Sequence, residues 1–166
     1  SYRAKSGKLR KVKIDNRTIV KKIRQISELP GYEVFRYLDE DGEAKKIDSS
    51  DINEYLFDIT GDDFTAKDFR TWGASKLALE FYDDANRALK ENPRLKFETT
   101  LVKKVAKAIG NTVSTCRKYY IHPVVLDFLV SNSPKPFKKI IPSESKKSDL
   151  LDEYEHYLLH LLKKNK

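Results

Sequence analysis

The chain has little of what builds stapled or membrane-embedded proteins. Cys116 is the single cysteine among 166 residues, which excludes an internal disulfide framework and any cysteine-based zinc site, and fits a reducing compartment. No run of about 18 apolar residues exists, so no membrane span is expected. The opening Ser1-Tyr2-Arg3-Ala4-Lys5 lacks the apolar core of a signal peptide, so secretion is not expected. Methionine is absent throughout, initiator included, and the chain is expected to begin inside a longer protein. Apolar residues are also sparse, 39% against 35% charged. A core is still within reach, because 8 Phe and 9 Tyr join many Leu and Ile. No internal repeat is visible, and the length suits one domain or one domain plus a tail.

Charge is abundant and unevenly placed. The formal net charge is +8. Residues 1–24 carry ten Lys or Arg against the single acid Asp15. Residues 28–63 reverse this, with twelve acids against Arg36, Lys45 and Lys46. Residues 103–118 hold Lys103, Lys104, Lys107, Arg117 and Lys118 and no acid. Such separation implies one face for a polyanion and one turned away, although charge runs also serve as plain solvated surface.

The chain reads as mainly α with a small N-terminal β component, an α+β class. Tyr2, Val12 and Ile14 flank a turn at Ser6-Gly7-Lys8, predicting a β-hairpin over 2–14. Ile19, Val20, Ile23 and Ile26 predict a helix over 17–28, ended by Leu29-Pro30-Gly31. Residues 33–38 are strand-like before the turn Asp39-Glu40-Asp41-Gly42. Ser49 or Ser50 is the expected cap of a short helix with Ile52, Tyr55 and Leu56. Thr65 and Asp68 form a capping box for a helix that continues, by its stripe Phe69, Trp72, Leu77, Phe81 and Ala85, to the break at Asn92-Pro93. A helix opening at Thr99 or Thr100 runs to Gly110-Asn111, both tolerant of the left-handed conformation. Thr112 caps a short helix, Pro123 starts another to about 131, residues 132–147 read as a linker, and Ser148 caps an amphipathic helix to 166.

Three segments carry candidate chemistry. In Phe64-Thr-Ala-Lys67-Asp-Phe-Arg70-Thr-Trp72, Lys67 and Arg70 share a face near a helix N-terminus, a good phosphate site. Taken alone, the segment is better read as a surface arginine in an ion pair. In Arg117-Lys118-Tyr119-Tyr120-Ile121-His122-Pro123, a tyrosine stands beside cations just before a helix start, as a nucleophile needs. A gap-filling tyrosine fits it too. In Arg3-Ala4-Lys5-Ser6-Gly7-Lys8, a hairpin lysine near an anion could protonate a leaving oxygen, or could be merely exposed. His122 reads as structural. His156 and His160 share a helix face at a metal-compatible spacing, without the glutamate pattern of a zinc protease, and read as a surface pair.

Together these segments resemble the catalytic domain of type IB topoisomerases, in the poxvirus-like branch found in bacteria and some large viruses. The resemblance covers residues up to about 131 and includes Leu29-Pro30-Gly31, Phe35-Arg36-Tyr37-Leu38-Asp39 and Asp41-Gly42. Its most specific parts are Phe64–Trp72 and Arg117–Pro123. It implies a DNA breaking-rejoining core with Tyr120 as nucleophile, Arg70 on the scissile phosphate, Lys5 as general acid, and Asn111, nine positions before Tyr120, at a non-bridging oxygen. Tyr119 is then a decoy. Lys8, Lys67, Arg117 and Lys118 are the expected DNA-binding cations.

Two departures matter. A further catalytic arginine, expected upstream of the hairpin, does not occur in this chain, nor does the family's N-terminal DNA-clamping domain. Ala4 also stands where glycine is common. Residues 1–131 are thus expected to be an N-terminally incomplete catalytic domain that alone cleaves DNA weakly or not at all. The resemblance further implies ATP-independent relaxation of supercoiled duplex DNA through a 3′-phosphotyrosyl intermediate, by a monomer needing no cofactor, metal or membrane, in bacterial cytoplasm or a virus. A tyrosine recombinase or integrase shares the nucleophile and arginines, though His-Xaa-Xaa-Arg is usual there where Lys67-Asp-Phe-Arg70 stands here. A non-catalytic DNA-binding module is the other alternative.

Overall fold

The computed structural model describes residues 1–3, 9–140 and 150–165. The chain divides into two compact units, Ser1–Phe64 and Thr65–Lys166. The architecture is mainly helical with two small antiparallel ribbons, as the sequence predicts.

In the first unit, β1 (Tyr2–Arg3) pairs with β2 (Leu9–Arg10), Tyr2 opposite Arg10 and Arg3 opposite Leu9. The ribbon is shorter than predicted. Val12 and Ile14 lie beyond it and are exposed, so no apolar face exists to extend the pairing. The turn with Lys5 and Lys8 lies outside the described residues. Asn16 caps α1 (Arg17–Ser27) by accepting the Ile19 N–H at 3.1 Å.

Next come β3 (Arg36–Leu38) and β4 (Ala44–Lys46), with Tyr37 opposite Lys45. Their turn is held by Asp39, whose Oδ1 accepts the Glu43 N–H at 2.8 Å and the Asp41 N–H at 3.1 Å. The cap of α2 (Ser49–Thr60) is Asp48, not either serine. Its Oδ1 accepts the Ser50 N–H at 2.7 Å, and Asp51 returns the bond to the Asp48 N–H at 2.7 Å. A carboxylate outcompetes a hydroxyl here because its charge also suits the helix N-terminus. Arg36 is buried and donates from Nη2 to the Ser27 carbonyl at 3.1 Å. Gly31 has φ 125°, and a Cβ there would stand 2.7 Å from Arg36 Nη1. The positive φ is what calls for glycine, because the end of the arginine side chain can swing aside.

The second unit holds α3 (Ala66–Glu80), α4 (Tyr82–Glu91), α5 (Phe97–Ile109), α6 (Val113–Thr115), a π-helical turn (Cys116–Tyr120), α7 (Pro123–Asn132), α8 (Phe137–Ile140) and α9 (Glu153–Lys164). Its core joins Ala78, Leu79, Leu101, Val105, Leu129 and Leu158, all at most 1% exposed. Each large aliphatic buried this way contributes about 1.5–3 kcal/mol.

The single helix predicted from Thr65 to Asn92 is two helices. Phe81, with φ −86° and ψ 1°, separates them, and the break delivers Tyr82 fully buried into the core. Its ring meets Phe97 edge-on at 5.3 Å and Phe137 at 5.8 Å. Glycine and proline are absent at this break. The local signal is Asp83-Asp84, an acidic first turn for α4. The next helix opens at Phe97 rather than Thr99 or Thr100, with Lys96 at its cap position, because burying Phe97 against Tyr82 outweighs a threonine cap.

Within the segment read as a linker, Phe137 starts a short helix and is buried among Tyr82, Tyr154 and Tyr157. Asp83 Oδ1 accepts its backbone N–H at 2.9 Å. The last helix is capped by Asp152, whereas Ser148 lies outside the described residues.

Candidate active site

The second unit presents Arg70 and Tyr120 from elements fifty residues apart. Thr65 and Asp68 form the predicted capping box, with Asp68 Oδ2 accepting from the Thr65 hydroxyl at 2.7 Å and backbone N–H at 2.8 Å. These bonds hold the Asp68 carboxyl below the ordinary carboxylate range. The box fixes the first turn of α3, and Arg70 follows in the next turn. Its Nη1 donates to the Tyr120 phenol oxygen at 3.3 Å, and its guanidinium carbon lies 5.4 Å from the Tyr120 ring centroid. The contact is both a hydrogen bond and a cation–π approach.

Tyr120 ends the π-helical turn. That turn closes when the Ile121 N–H reaches the Cys116 carbonyl at 3.1 Å, one residue further than in an α-helix. The inserted residue widens the turn, and the two tyrosines part company. Tyr120 is half-buried against the core, whereas Tyr119 is 50% exposed under Lys118, whose Nζ lies 5.1 Å from its ring centroid.

Two side chains of α3 that the sequence reading passed over tie this turn down. The Thr71 hydroxyl donates to the Tyr119 carbonyl at 3.5 Å, and the buried Ser75 hydroxyl accepts the His122 N–H at 2.9 Å. Their signal was their spacing, one and five positions after Arg70. His122 itself sits at the cap position of α7, with its carbonyl accepting from Val125 and Leu126. Cys116 is fully buried, and burial pushes its thiol up to about 11. It therefore stays protonated at neutral pH and offers no competing nucleophile beside Tyr120.

Asn111 follows Gly110, whose φ of 67° ends α5 in the left-handed conformation. Glycine alone takes that conformation here; Asn111 has negative φ. The Asn111 N–H donates to the Ala106 carbonyl at 2.8 Å, and its Oδ1 accepts the Thr112 N–H at 2.9 Å. With its acceptor engaged within its own turn, the amide NH2 is the end that can donate to an anion. Asn111 makes its side-chain bond to Thr112 rather than to Arg70 or Tyr120. Arg117 points to Glu98, its Nε 3.0 Å from Oε1. Lys67 is exposed on the first turn of α3. Lys5 and Lys8 lie outside the described residues. Among the described residues no group of three His, Cys, Asp or Glu side chains could hold a metal ion, and no helix is long and apolar enough to cross a membrane.

An arginine fork and a phenol oxygen within one hydrogen bond can share a phosphate between them. DNA topoisomerase 1B of Acanthamoeba polyphaga mimivirus is 28% identical over 170 residues, an alignment covering 98% of this chain and 48% of that protein. The chain thus spans about half the length of that relative. Residues 5–139 match the family described as eukaryotic DNA topoisomerase I, catalytic core. That match takes in Arg70, Asn111 and Tyr120 and most of the chain, and on it this protein belongs to the type IB DNA topoisomerase family.

Proposed function

We propose that this chain is the catalytic part of an ATP-independent DNA topoisomerase that cuts and reseals one strand of duplex DNA through Tyr120. The contact between Arg70 and Tyr120 supports this reading above all. A phosphodiester held by the Arg70 guanidinium would lie against the phenol oxygen, so binding and attack geometry are supplied together. Tyr120 Oη forms a bond to phosphorus as the bond from phosphorus to the 5′-oxygen breaks. The phenolic proton passes to water, and the departing 5′-oxygen takes a proton from Lys5. The product is a 3′-phosphotyrosyl ester and a free 5′-hydroxyl.

Charge gathers on the non-bridging oxygens in the transition state. Arg70 and the Asn111 NH2 are the donors assigned to stabilise it. The ester keeps the energy of the broken bond, so the 5′-hydroxyl can displace Tyr120 without a nucleotide cofactor. Rotation of the cut strand between the two steps relaxes supercoils. Lys8, Lys67, Arg117 and Lys118 are assigned to the DNA backbone.

The test uses the intact protein with nicked-site duplex DNA, followed by denaturation and electrophoresis. Wild type and Tyr119→Phe are expected to give a covalent adduct and Tyr120→Phe none. An adduct in Tyr120→Phe, or none in wild type, would refute the assignment. Relaxation of plasmids lacking any defined site separates this activity from recombination.

A further inference from the structure

The cap of α9 is also a docking device. Asp152 and Glu155 form a reciprocal capping box. Asp152 Oδ1 accepts the Glu155 N–H at 3.0 Å, and Glu155 Oε2 accepts the Asp152 N–H at 3.0 Å. Each carboxylate has a second oxygen, and both second oxygens meet α3. Glu155 Oε1 accepts the Trp72 indole N–H at 3.1 Å. Asp152 Oδ2 pairs with the Lys76 ammonium, which also lies 3.6 Å from Glu80. Trp72 and Lys76 stand four apart, on one face of α3. Arg70 precedes Trp72 by two positions, about 200° around the helix and so roughly on the opposite side. The helix that carries Arg70 is therefore gripped by α9 on one flank and meets the Tyr120 turn on the other.

We infer that Trp72 and Lys76, held by Glu155 and Asp152, are positioning residues that set the rotation of α3 and thereby aim Arg70 at Tyr120. The inference rests on the functional reading only for its catalytic consequence. Rotating α3 by a few degrees moves the far end of the Arg70 side chain most, because the guanidinium stands furthest from the helix axis. A displacement of about 1 Å at a reacting group costs on the order of a hundredfold in rate. Of the two ties, the Lys76–Asp152 ion pair, 24% and 46% exposed, would add little to stability. Their worth lies in direction, since an indole N–H and an ammonium on one face resist both rotation and sliding.

The informative variant is Asp152→Asn combined with Glu155→Gln. An amide has one acceptor oxygen where a carboxylate has two. Asn and Gln are competent at these cap positions, so α9 stays capped but cannot dock with the same groups. The readout needs no activity. In a chain labelled with 13C at tyrosine Cζ, the Tyr120 signal, assigned by its loss in Tyr120→Phe, senses the Arg70 guanidinium, and Arg70→Ala marks its position without that neighbour. The double variant is expected to move the signal toward that mark while circular dichroism holds. Trp72→Phe, which removes the indole donor and leaves α9 untouched, is expected to move it the same way.

In the intact protein the double variant should slow adduct formation about tenfold in wild type and leave an Arg70→Ala background unchanged, since the loss acts through Arg70. The inference is overturned if the Tyr120 signal ignores the double variant, or ignores Arg70→Ala. It is equally overturned if the slowing is the same in both backgrounds. A signal that moves as expected in a protein forming no Tyr120 adduct supports the clamp and removes only the topoisomerase reading.

Discussion

The Arg70 guanidinium donates to the Tyr120 phenol oxygen at 3.3 Å across fifty positions of chain. If a phosphate is to be shared by the two groups, replacing Arg70 removes both the binding fork and the main transition-state donor. Arg70→Ala is expected to slow single-turnover adduct formation by about 10²–10³-fold. Arg70→Lys should recover only part, because an ammonium lacks the planar fork. Quench-flow with end-labelled duplex measures both, and an Arg70→Ala protein at the wild-type rate would remove Arg70 from the chemistry.

Asn111 is the amide assigned above to a non-bridging oxygen of the reacting phosphate. An amide does not titrate, so the cleavage rate should show no ionisation near pH 6.5 from this position. Asn111→His should introduce one there, and Asn111→Ala should cost about five- to tenfold, as the loss of one hydrogen bond does. A pH–rate profile of Asn111→His identical to wild type would show that position 111 does not touch the reacting phosphate.

Glu98 pairs with Arg117, its Oε1 3.0 Å from the guanidinium Nε. If Arg117 is to contact the DNA backbone, a phosphate and Glu98 compete for one guanidinium. Glu98→Gln is expected to tighten DNA binding and to steepen the plot of log affinity against log salt by about 0.9, the contribution of one phosphate contact. Titrations between about 50 and 200 mM salt report the slope. An unchanged slope would place Arg117 off the DNA path.

Hydrogen bonds hold the carboxyls of Asp68 and Asp152 below their ordinary range, from Thr65 in the first case and chiefly from Lys76 in the second. A depressed folded-state pKa stabilises the fold above the unfolded value of about 3.9 and loses that contribution as pH falls through the lower folded value. Lys76 is raised, first by Asp152, so its contribution is complete below about pH 10.4 and is lost as pH rises through its folded value. The pair thus contributes fully between about pH 5 and 9. Asp152→Asn should give a shallower loss of helicity in acid, monitored by circular dichroism. An acid limb identical to wild type would exclude Asp152 from the linkage.

Phe137 is buried among Tyr82, Tyr154 and Tyr157. Phe137→Ala should cost about 3–5 kcal/mol of stability, a core value, whereas Lys139→Ala, an exposed neighbour, should stay within about 0.5 kcal/mol. Urea unfolding distinguishes them. A cost at Phe137 as small as at Lys139 would return the segment to the linker it was predicted to be.

Much of the site could be read from the chain because its signals are local. Thr65 and Asp68 announce a helix start by the reach of their own side chains, and Gly110 announces a helix end by the one backbone conformation it makes cheap. Those two marks bracket Arg70 and Asn111 in their proper elements. The division of α3 from α4 was not legible in the usual way, since neither Gly nor Pro stands at Phe81. The break answers to Tyr82, which must turn inward to meet Phe97 and Phe137, residues supplied by other helices. Phe137 was likewise hidden in a stretch rich in Pro, Ser and Lys, where one aromatic carries no periodicity. Asp48 displaced the serines as a cap because a carboxylate adds charge to the same hydrogen bond, a comparison that residue type allowed and the spacing alone did not make.

The sequence by itself determined the candidates: a tyrosine before Ile-His-Pro, an arginine one turn inside a capped helix, an asparagine just past a helix-ending glycine. Each follows from residue type and short-range spacing. The physical reason that Tyr120 and not the adjacent Tyr119 meets that arginine lies only in three dimensions. The π-helical turn inserts one residue between Cys116 and Ile121, and this sends Tyr120 toward α3 and leaves Tyr119 to solvent and Lys118. The grip of α9 on α3 is tertiary in the same sense. Trp72 and Glu155 lie 83 positions apart, and no pattern within either helix specifies which second oxygen will find which donor.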